Sequence, residues 1–576
     1  MSVNLNFENP KNLKKTYNTY SIKDKTIVVN NNSPYDRFCG GVPLSKGENR
    51  TVYVDQTDSH SMVFGSTGSK KTRTVVMPTV KIMGAAGESM IINDPKGELF
   101  YRLSGELRQQ GYNILTLNFR DPARSNAWNP LAIPYQWYLE NDIDKAAELV
   151  NDMAINLLTS ENIGNGDPFW SQSAADMFFG LTLLLFKYCK EHNIPQQAAN
   201  ITNLLILRRK LFDENDFDSD FDLWKFAQED ELIASSLSGV IASIGAKGTK
   251  AGILSTFDQR MRTFIIQPTL MEMLSALDFD IGSITEKKTA LFIITPDEKS
   301  AFHKLVSLFV KQSYEYTIYK AMKNPNGKVS IRLNYVLDEF GTLPAITDMN
   351  SMIAAARSRD IRFVLITQSK HQLIQHYGDD AQTIISNCNN WIFLTSREIE
   401  LLQDISLLCG QDEKQKPNMS IFDLQHFDKD GGEALLLCAR KKPCKVNLLD
   451  ISEYYFPDYK YIASIEIPLR ASQQNVKLDF VLSDEIQIRL GIKSVENDEP
   501  ESNASEEPSA FLRHSLFDEF DDDMDEESMR RRREEQRRNK NIAEIKTALF
   551  ELMTILKSET PPEENSGDID NETGDN

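Results

Sequence analysis

The residues with the clearest chemical capacity are Gly65, Ser66, Thr67, Gly68, Ser69, Lys70, Lys71 and Thr72. They follow the apolar run Met62-Val63-Phe64 and open a helical stretch. In that strand–loop–helix setting backbone N–H groups wrap phosphates and the helix dipole adds to their pull. The Lys71 ammonium would reach the β- and γ-phosphates of a nucleotide such as ATP, and the Thr72 hydroxyl would ligate Mg2+. Lys70 stands where the G-x-x-x-x-G-K-[ST] pattern has its second glycine. Glycine there lets backbone and phosphate approach closely, so the lysine bears on hydrolysis more than on nucleotide binding.

Further along, Tyr335-Val336-Leu337-Asp338-Glu339 reads as an apolar strand ending in two acids. Such a strand end can place Asp338 beside a metal and Glu339 where it polarises an attacking water. Apolar strands ending in acids are common, and the upstream phosphate loop is what gives this one a chemical meaning. Phe363-Val364-Leu365-Ile366 ends at Thr367-Gln368, which makes Gln368 either a sensor of the γ-phosphate and water or a polar strand cap. Arg357 and Arg359 follow the acidic pair. An arginine delivered by a neighbouring subunit is worth ~10³–10⁵ in rate; the alternative is an ordinary surface arginine or an ion pair within the chain.

The elements that must hold these groups are short apolar runs separated by Gly, Asp and Pro, at 61–64, 89–92 and 113–117, with helical stretches at 73–83 and 99–110 between them. Alternating strands and helices predict an α/β fold with a parallel sheet. Between 128 and 275 helical periodicity dominates, as at 142–158, 170–189 and 196–208, before strand-like runs resume at 290–294, 333–337, 362–366, 390–394 and 434–438. The simplest organisation is an irregular N-terminal segment at 1–55 with one edge strand near 26–29. It continues as a nucleotide-binding domain in two parts, 56–127 and 276–493, interrupted by an all-α insertion at 128–275. Short strand-like pieces are expected at 461–465, 477–482 and 485–490.

Charge divides along the same lines. The net charge is −20, from 84 acidic and 64 basic residues. Of these, 25 and 10 fall in residues 494–576, leaving 59 and 54 for the body. The body is therefore nearly balanced, and the overall acidity does not exclude a nucleic-acid partner. The tail carries an acidic run at 518–527, an arginine cluster at 530–538 and an amphipathic stretch with a helix near 530–557; the rest of it is expected to be disordered. The flexible basic segment 246–252 is the first candidate for a DNA-contacting loop.

At 576 residues the chain has room for about three or four domains. Its 41% apolar and 26% charged composition excludes disordered, collagen-like and disulfide-scaffold classes for the chain as a whole. Six scattered cysteines without a C-x-x-C pair suit a reducing compartment and give no zinc signature. The longest strongly apolar stretch, 177–186, is about half the ~20 residues needed to span a bilayer, so a soluble chain is expected.

Together these motifs resemble the type IV secretion coupling proteins, the TraG/TraD-like ATPases of conjugative DNA transfer. Beyond the phosphate loop, the resemblance rests on Asp94-Pro95-Lys96-Gly97-Glu98, on Asn118-Phe119-Arg120-Asp121-Pro122 with Ser125 and Asn129-Pro130-Leu131, on Asp167-Pro168-Phe169-Trp170, on Leu337-Asp338-Glu339-Phe340-Gly341 and on Ile366-Thr367-Gln368-Ser369. It covers about residues 61–450 and implies a RecA-like P-loop NTPase domain with an inserted all-α domain, assembling as a homohexamer around single- or double-stranded DNA. It further implies ATP and Mg2+ as ligands, with Lys71, Glu339, Arg357 and Gln368 in catalytic roles and Arg357 acting across a subunit boundary. Thr72 and Asp338 would hold the metal. A relaxase or other cargo protein and components of the secretion channel are the implied partners. Family members usually begin with transmembrane helices. Here the expectation is a variant lacking them, cytoplasmic and held at the inner face of the membrane through a partner. A DNA-translocating ATPase without a secretion role and a nucleotide-binding adaptor with weak hydrolysis remain open beside this reading.

Overall fold

The computed structural model describes residues 8–30, 38–159, 168–212, 217–242, 247–296, 298–299, 302–455, 464–470 and 477–492. The acidic tail, its arginine cluster and the helix expected near 530–557 lie outside the described residues.

The N-terminal segment corrects the expectation of an irregular lead-in. Four short strands, β1 (Asn18–Ser21), β2 (Thr26–Val28), β3 (Pro43–Lys46) and β4 (Thr51–Val54), form an antiparallel sheet in the order β2-β1-β4-β3. Strands of three or four residues are too short for alternation to stand out from the sequence. What fixes them is burial: Tyr20, Ile27, Leu44, Val52 and Val54 belong to one apolar cluster with residues of the main sheet and its first helix.

In the main sheet, β5 (Ser61–Gly65), β6 (Ser89–Asp94), β7 (Asn113–Asn118), β8 (Thr289–Ile294), β9 (Leu333–Leu337), β10 (Ile361–Thr367), β11 (Asn390–Thr395), β12 (Glu433–Cys438) and β13 (Cys444–Asn447) are arranged β13-β12-β11-β5-β10-β9-β6-β8-β7. From β11 to β7 neighbouring strands are parallel, while β12 and β13 add an antiparallel edge. β5, β6, β8, β9 and β10 are buried along their whole length, as apolar strands covered on both faces should be. Alternate residues divide between the faces. Val63, Val336, Val364 and Ile366 pack with α1 (Met77–Ala86), α2 (Glu98–Gln109) and the N-terminal sheet. Met62, Phe64, Tyr335, Leu337, Phe363 and Leu365 pack on the other side, in a core continuous with the helical insertion.

That insertion runs from α3 (Ala132–Leu139) through α4 (Ile143–Leu158), α5 (Pro168–Glu191), α6 (Ile201–Phe212), α7 (Phe217–Gln228), α8 (Glu231–Ala242) and α9 (Lys247–Ile265) to α10 (Pro268–Met273), with no strand among the described residues. Its entry and exit are stitched together: Trp128 N–H donates to Met273 O at 2.9 Å, and Ala127 N–H to Asp278 Oδ2 at 2.7 Å. The basic segment expected as a flexible loop at 246–252 instead enters α9 from Lys247 onward, and Lys250 donates to Phe212 O at 3.2 Å. No helix among the described residues is long and apolar enough to cross a membrane.

The remaining helices are α11 (His303–Lys323), α12 (Met349–Ala356), α13 (Lys370–Tyr377), α14 (Asp380–Asn387), α15 (Ile399–Leu408), α16 (Ile421–Gln425) and α17 (Asp484–Arg489). α17 replaces the strand expected at 485–490, and the described residues of 464–470 and 477–483 pair in no sheet. They run as a strap: Arg470 N–H donates to Ala123 O, Leu478 N–H to Asn203 Oδ1, and Arg489 pairs with Glu191 and Glu229 of the insertion.

At the N-terminal ends of the strands a buried polar network docks residues 40–57 on the sheet. Glu88 is its centre. One carboxylate oxygen accepts from Arg362 at 2.5 Å and from Asn334 at 2.9 Å, and the other from Gly40 N–H at 2.9 Å. Arg362 also donates to the carbonyls of Gly40 and Thr57 at 3.0 Å, and Arg332 pairs with Asp360 at 2.7 Å. Glu88→Ala would leave buried guanidinium charge uncompensated, which typically costs 3–5 kcal/mol. We expect urea unfolding of Glu88→Ala to show a loss of about that size; a change below ~1 kcal/mol would mean that water replaces the carboxylate.

Candidate nucleotide site

β5 delivers Gly65 to the C-terminal edge of the sheet, between β11 and β10. Any side chain at Gly65 would collide, because a Cβ there would lie 2.5 Å from Ser69 Oγ and 2.8 Å from Lys71 Cγ. The loop closes through Ser69 N–H to Ser66 O at 3.1 Å and passes through left-handed backbone at Gly68 (φ 77°) and Lys70 (φ 68°). A wide π-type turn over Thr72–Val76 then leads into α1. Such turns within helices recur at functional sites, and this one aims the helix N-terminus at the loop.

The other strand-end residues converge on this loop. Lys71 is buried, and its ammonium folds back to Gly65 O at 2.6 Å and Ser66 O at 3.3 Å. Burial lowers its pKa, with Glu339 and Asp338 opposing. Thr72 Oγ1 lies 3.4 Å from Asp338 Oδ2. Asp338 is buried, and that burial, with the charge of Glu339, pushes it up to about 7, Lys71 acting against them. Gln368 bridges two strands and the loop: its amide nitrogen donates to Glu339 Oε2 at 2.8 Å, and its oxygen accepts from Thr67 Oγ1 at 2.7 Å. Lys71, Thr72, Asp338, Glu339 and Gln368 therefore form one cluster.

Arg357 is elsewhere. It precedes β10, whereas Gln368 follows it, and seven strand residues separate the ends by roughly 20 Å. It pairs with Asp58 at 3.1 Å on the opposite edge of the sheet. It is therefore out of reach of the phosphate loop of its own chain.

Lys70 occupies the left-handed conformation that glycine would supply. Its ammonium donates to Asp430 Oδ1 at 2.8 Å, while Arg73 makes a two-point contact with Asp450 at 2.6 and 2.8 Å. Burial raises the Asp450 pKa, but the bonds from Arg73 and Ser452 outweigh it and hold the carboxyl well below its usual range. These acids escaped the sequence reading; Asn93, which adjoins the Asp94–Glu98 segment of the resemblance, was given no role there, and its amide holds Asp338 O at 2.6 Å. Asp94, next in the chain, accepts Phe100 N–H at 2.8 Å and caps α2; its burial moves it up to about 6. A polar pair ending the β6 run was the available signal.

Lys70→Gly removes left-handed strain of about 1 kcal/mol and adds about 0.5–1 kcal/mol of unfolded-chain entropy. We expect unfolding free energies within ~0.5 kcal/mol of each other and turnover unchanged or raised. A fall in turnover would mean that the Lys70 side chain itself serves the nucleotide.

The chain is similar to known proteins at low identity. The conjugal transfer protein TraG of Rhizobium radiobacter is 25% identical over 61% of this chain and 52% of its own length. The type IV secretion system-coupling protein VirD4 of Bartonella quintana (strain Toulouse) is 20% identical over 63% of this chain and 54% of its own. The chain thus spans about half the length of the curated relatives it matches. Among solved structures, the bacterial conjugative coupling protein TrwBdeltaN70 in its unbound monoclinic form superimposes with a TM-score of 0.51 at 16% identity, covering 74% of this chain and 91% of that one. Its trigonal form with sulphate also gives 0.51, at 18% identity, over 72% and 90%. The fold is thus a RecA-like α/β domain with an all-α domain inserted in it. Residues 6–433, well over half of the chain, match the family described as type IV secretory system conjugative DNA transfer, and the chain belongs to that family.

Proposed function

We propose that this protein is a motor ATPase that couples ATP hydrolysis to delivery of DNA–relaxase substrates into a type IV secretion channel. The observation that carries this reading is the bridge from Thr67 through Gln368 to Glu339, which sets a carboxylate beside the phosphate loop with Asp338 and Thr72 next to it. A phosphate-bound Mg2+ fits these residues. Asp338 is a buried carboxyl raised by its surroundings, and Ser69 Oγ within the loop is buried without a hydrogen-bond partner. Among the described residues no group of three or more His, Cys, Asp or Glu could hold a metal by itself. One carboxylate and one hydroxyl suit an ion that keeps waters and phosphate oxygens as its other ligands. When bound, Mg2+ supplies positive charge to the β- and γ-phosphate oxygens.

The residues of the chain then divide the work. Lys71 leaves the Gly65 and Ser66 carbonyls for the phosphates. Thr72 and Asp338 would hold the metal, and Glu339, oriented by Gln368, would accept a hydrogen bond from the attacking water. Arg357 on the opposite sheet edge supports a homohexamer in which each arginine completes the neighbouring site. In this reading the ring encloses single- or double-stranded DNA and receives relaxase or other cargo. Membrane contact comes through a partner at the cytoplasmic face.

The test is DNA-stimulated phosphate release beside ATP affinity. We expect Lys71→Ala to lower release at least tenfold. ATP binding without release in the wild type would instead favour a nucleotide-binding adaptor, the reading that Lys70 in its glycine position supports. Hydrolysis with no capture of a relaxase would favour a DNA-translocating ATPase without a secretion role.

A further inference from the structure

One cation at the mouth of the phosphate loop has no part in the cluster above. β11 lies directly beside β5, Thr395 pairs with Gly65, and Thr395 O accepts Ser66 N–H at 3.0 Å. The chain leaving β11 is thus tied to the first residue of the loop proper. Ser396 and Glu398 are fixed in turn. Ser396 is buried and its Oγ accepts Glu398 N–H at 3.0 Å. Both Glu398 oxygens are committed to the start of α13, accepting from Ser369 Oγ and Lys370 N–H at 2.9 Å and from His371 N–H at 3.0 Å. Arg397 therefore stands between two anchored residues on a short, rigid bridge.

It lines a cavity of about 450 Å³ whose walls include Ser66, Thr67, Gln368, Ser369, Ser396 and the acid Glu398. The charges around this cavity separate Arg397 from its neighbours. Lys70 is matched by Asp430, Arg73 by Asp450, and Lys370 by Asp404 and Glu400. Lys71 rests on two loop carbonyls. Arg397 has no ion pair or side-chain hydrogen bond among the described residues, and the nearest acid in sequence, Glu398, has both oxygens engaged elsewhere. An exposed guanidinium without an ion-pair partner, on the wall of a cavity beside this loop, has the fork geometry that recognises phosphate at two points.

We propose that Arg397 is a nucleotide-contacting residue, its guanidinium holding phosphate oxygens from the β11 side of the loop. It would act from the cavity that Thr67 and Gln368 also line. This rests on the ATP reading of the same site. It gives the site a phosphate ligand from its own chain, additional to the arginine of a neighbouring subunit.

The experiment measures binding of a fluorescent ATP analogue, and phosphate release, for the full-length wild type, Arg397→Ala, Arg397→Lys and Lys71→Ala. We expect Arg397→Ala to weaken ATP binding roughly tenfold or more, as loss of a charge-assisted pair should. Its unfolding midpoint should stay at the wild-type value, because the side chain is exposed. Arg397→Lys should recover only part of the affinity, since a lysine provides a point charge and not a fork. Wild-type affinity and release in Arg397→Ala, with Lys71→Ala defective, would overturn the assignment of Arg397 alone. Absence of nucleotide binding in the wild type would overturn it together with the ATP reading.

Discussion

Replacing Arg357 by alanine is expected to lower DNA-stimulated phosphate release by ~10³–10⁵, the contribution of a transition-state arginine, while ATP affinity changes by no more than a few-fold. The two effects separate because Arg357 lies across the sheet from its own phosphate loop, with β10 between them. It cannot help this chain bind nucleotide. Its pair with Asp58 leaves both side chains substantially exposed, at 43% and 32%, and exposed pairs of this kind contribute about 0–1 kcal/mol. Release of the guanidinium to a neighbour's γ-phosphate is therefore cheap, and its loss should scarcely alter the stability of the chain. Mixing is the decisive measurement. Lys71→Ala chains keep Arg357, and Arg357→Ala chains keep Lys71, so a mixed ring contains some interfaces with both groups intact. Phosphate release by the mixture should exceed that of either variant alone. A mixture no faster than its parents would overturn the cross-subunit role.

The chemistry of the candidate site was legible because parallel strands present their C-terminal ends on one edge. Gly65, Asp338 and Gln368 each follow an apolar run, so the change from apolar to polar marked them. The order that makes β5 and β10 neighbours, with β9 next to β10, was not legible, since strands far apart in the chain are matched by packing alone. The same is true of single acids that gain meaning from distant partners. Lys70 and Asp430 are 360 residues apart, and Glu88 and Arg362 are separated by 274. In sequence Glu88 follows Gly87 at the end of α1 with no partner nearby in the chain; the closing of residues 40–57 over the sheet makes it a buried counter-ion.

These distant pairs also bear on Lys70. The backbone there has the left-handed angle of the missing glycine, so the loop keeps its path with a lysine in place. The side chain is drawn outward to Asp430 and away from the loop interior, where Lys71 folds onto Gly65 and Ser66. The two adjacent lysines thus have separate tasks. A variant loop that preserves its path can still hold phosphates, which is why hydrolysis and not binding is the property to measure.

Glu339→Gln should separate those two properties most sharply. Glu339 adopts a left-handed conformation (φ 55°), a cost of order 1–3 kcal/mol that persists only where the surroundings enforce it. The enforcement is visible: Glu339 N–H donates to Asp338 Oδ1 at 3.0 Å, Thr342 Oγ1 donates to Glu339 O at 2.8 Å, and Gln368 grips the carboxylate. Glutamine has the same shape, and its amide oxygen can still accept from Gln368, so the loop and its bridge to Thr67 should survive. What disappears is the negative charge that draws a proton from the attacking water. General-base assistance is typically worth 10²–10⁴, and phosphate release should fall by about that factor. ATP affinity should hold or rise, because a carboxylate that repels the γ-phosphate has been neutralised. The variant would then retain unhydrolysed ATP, detectable by separating bound nucleotides after a single turnover. Unchanged release would remove Glu339 from the water-activating role. Lost binding would assign it to holding the loop.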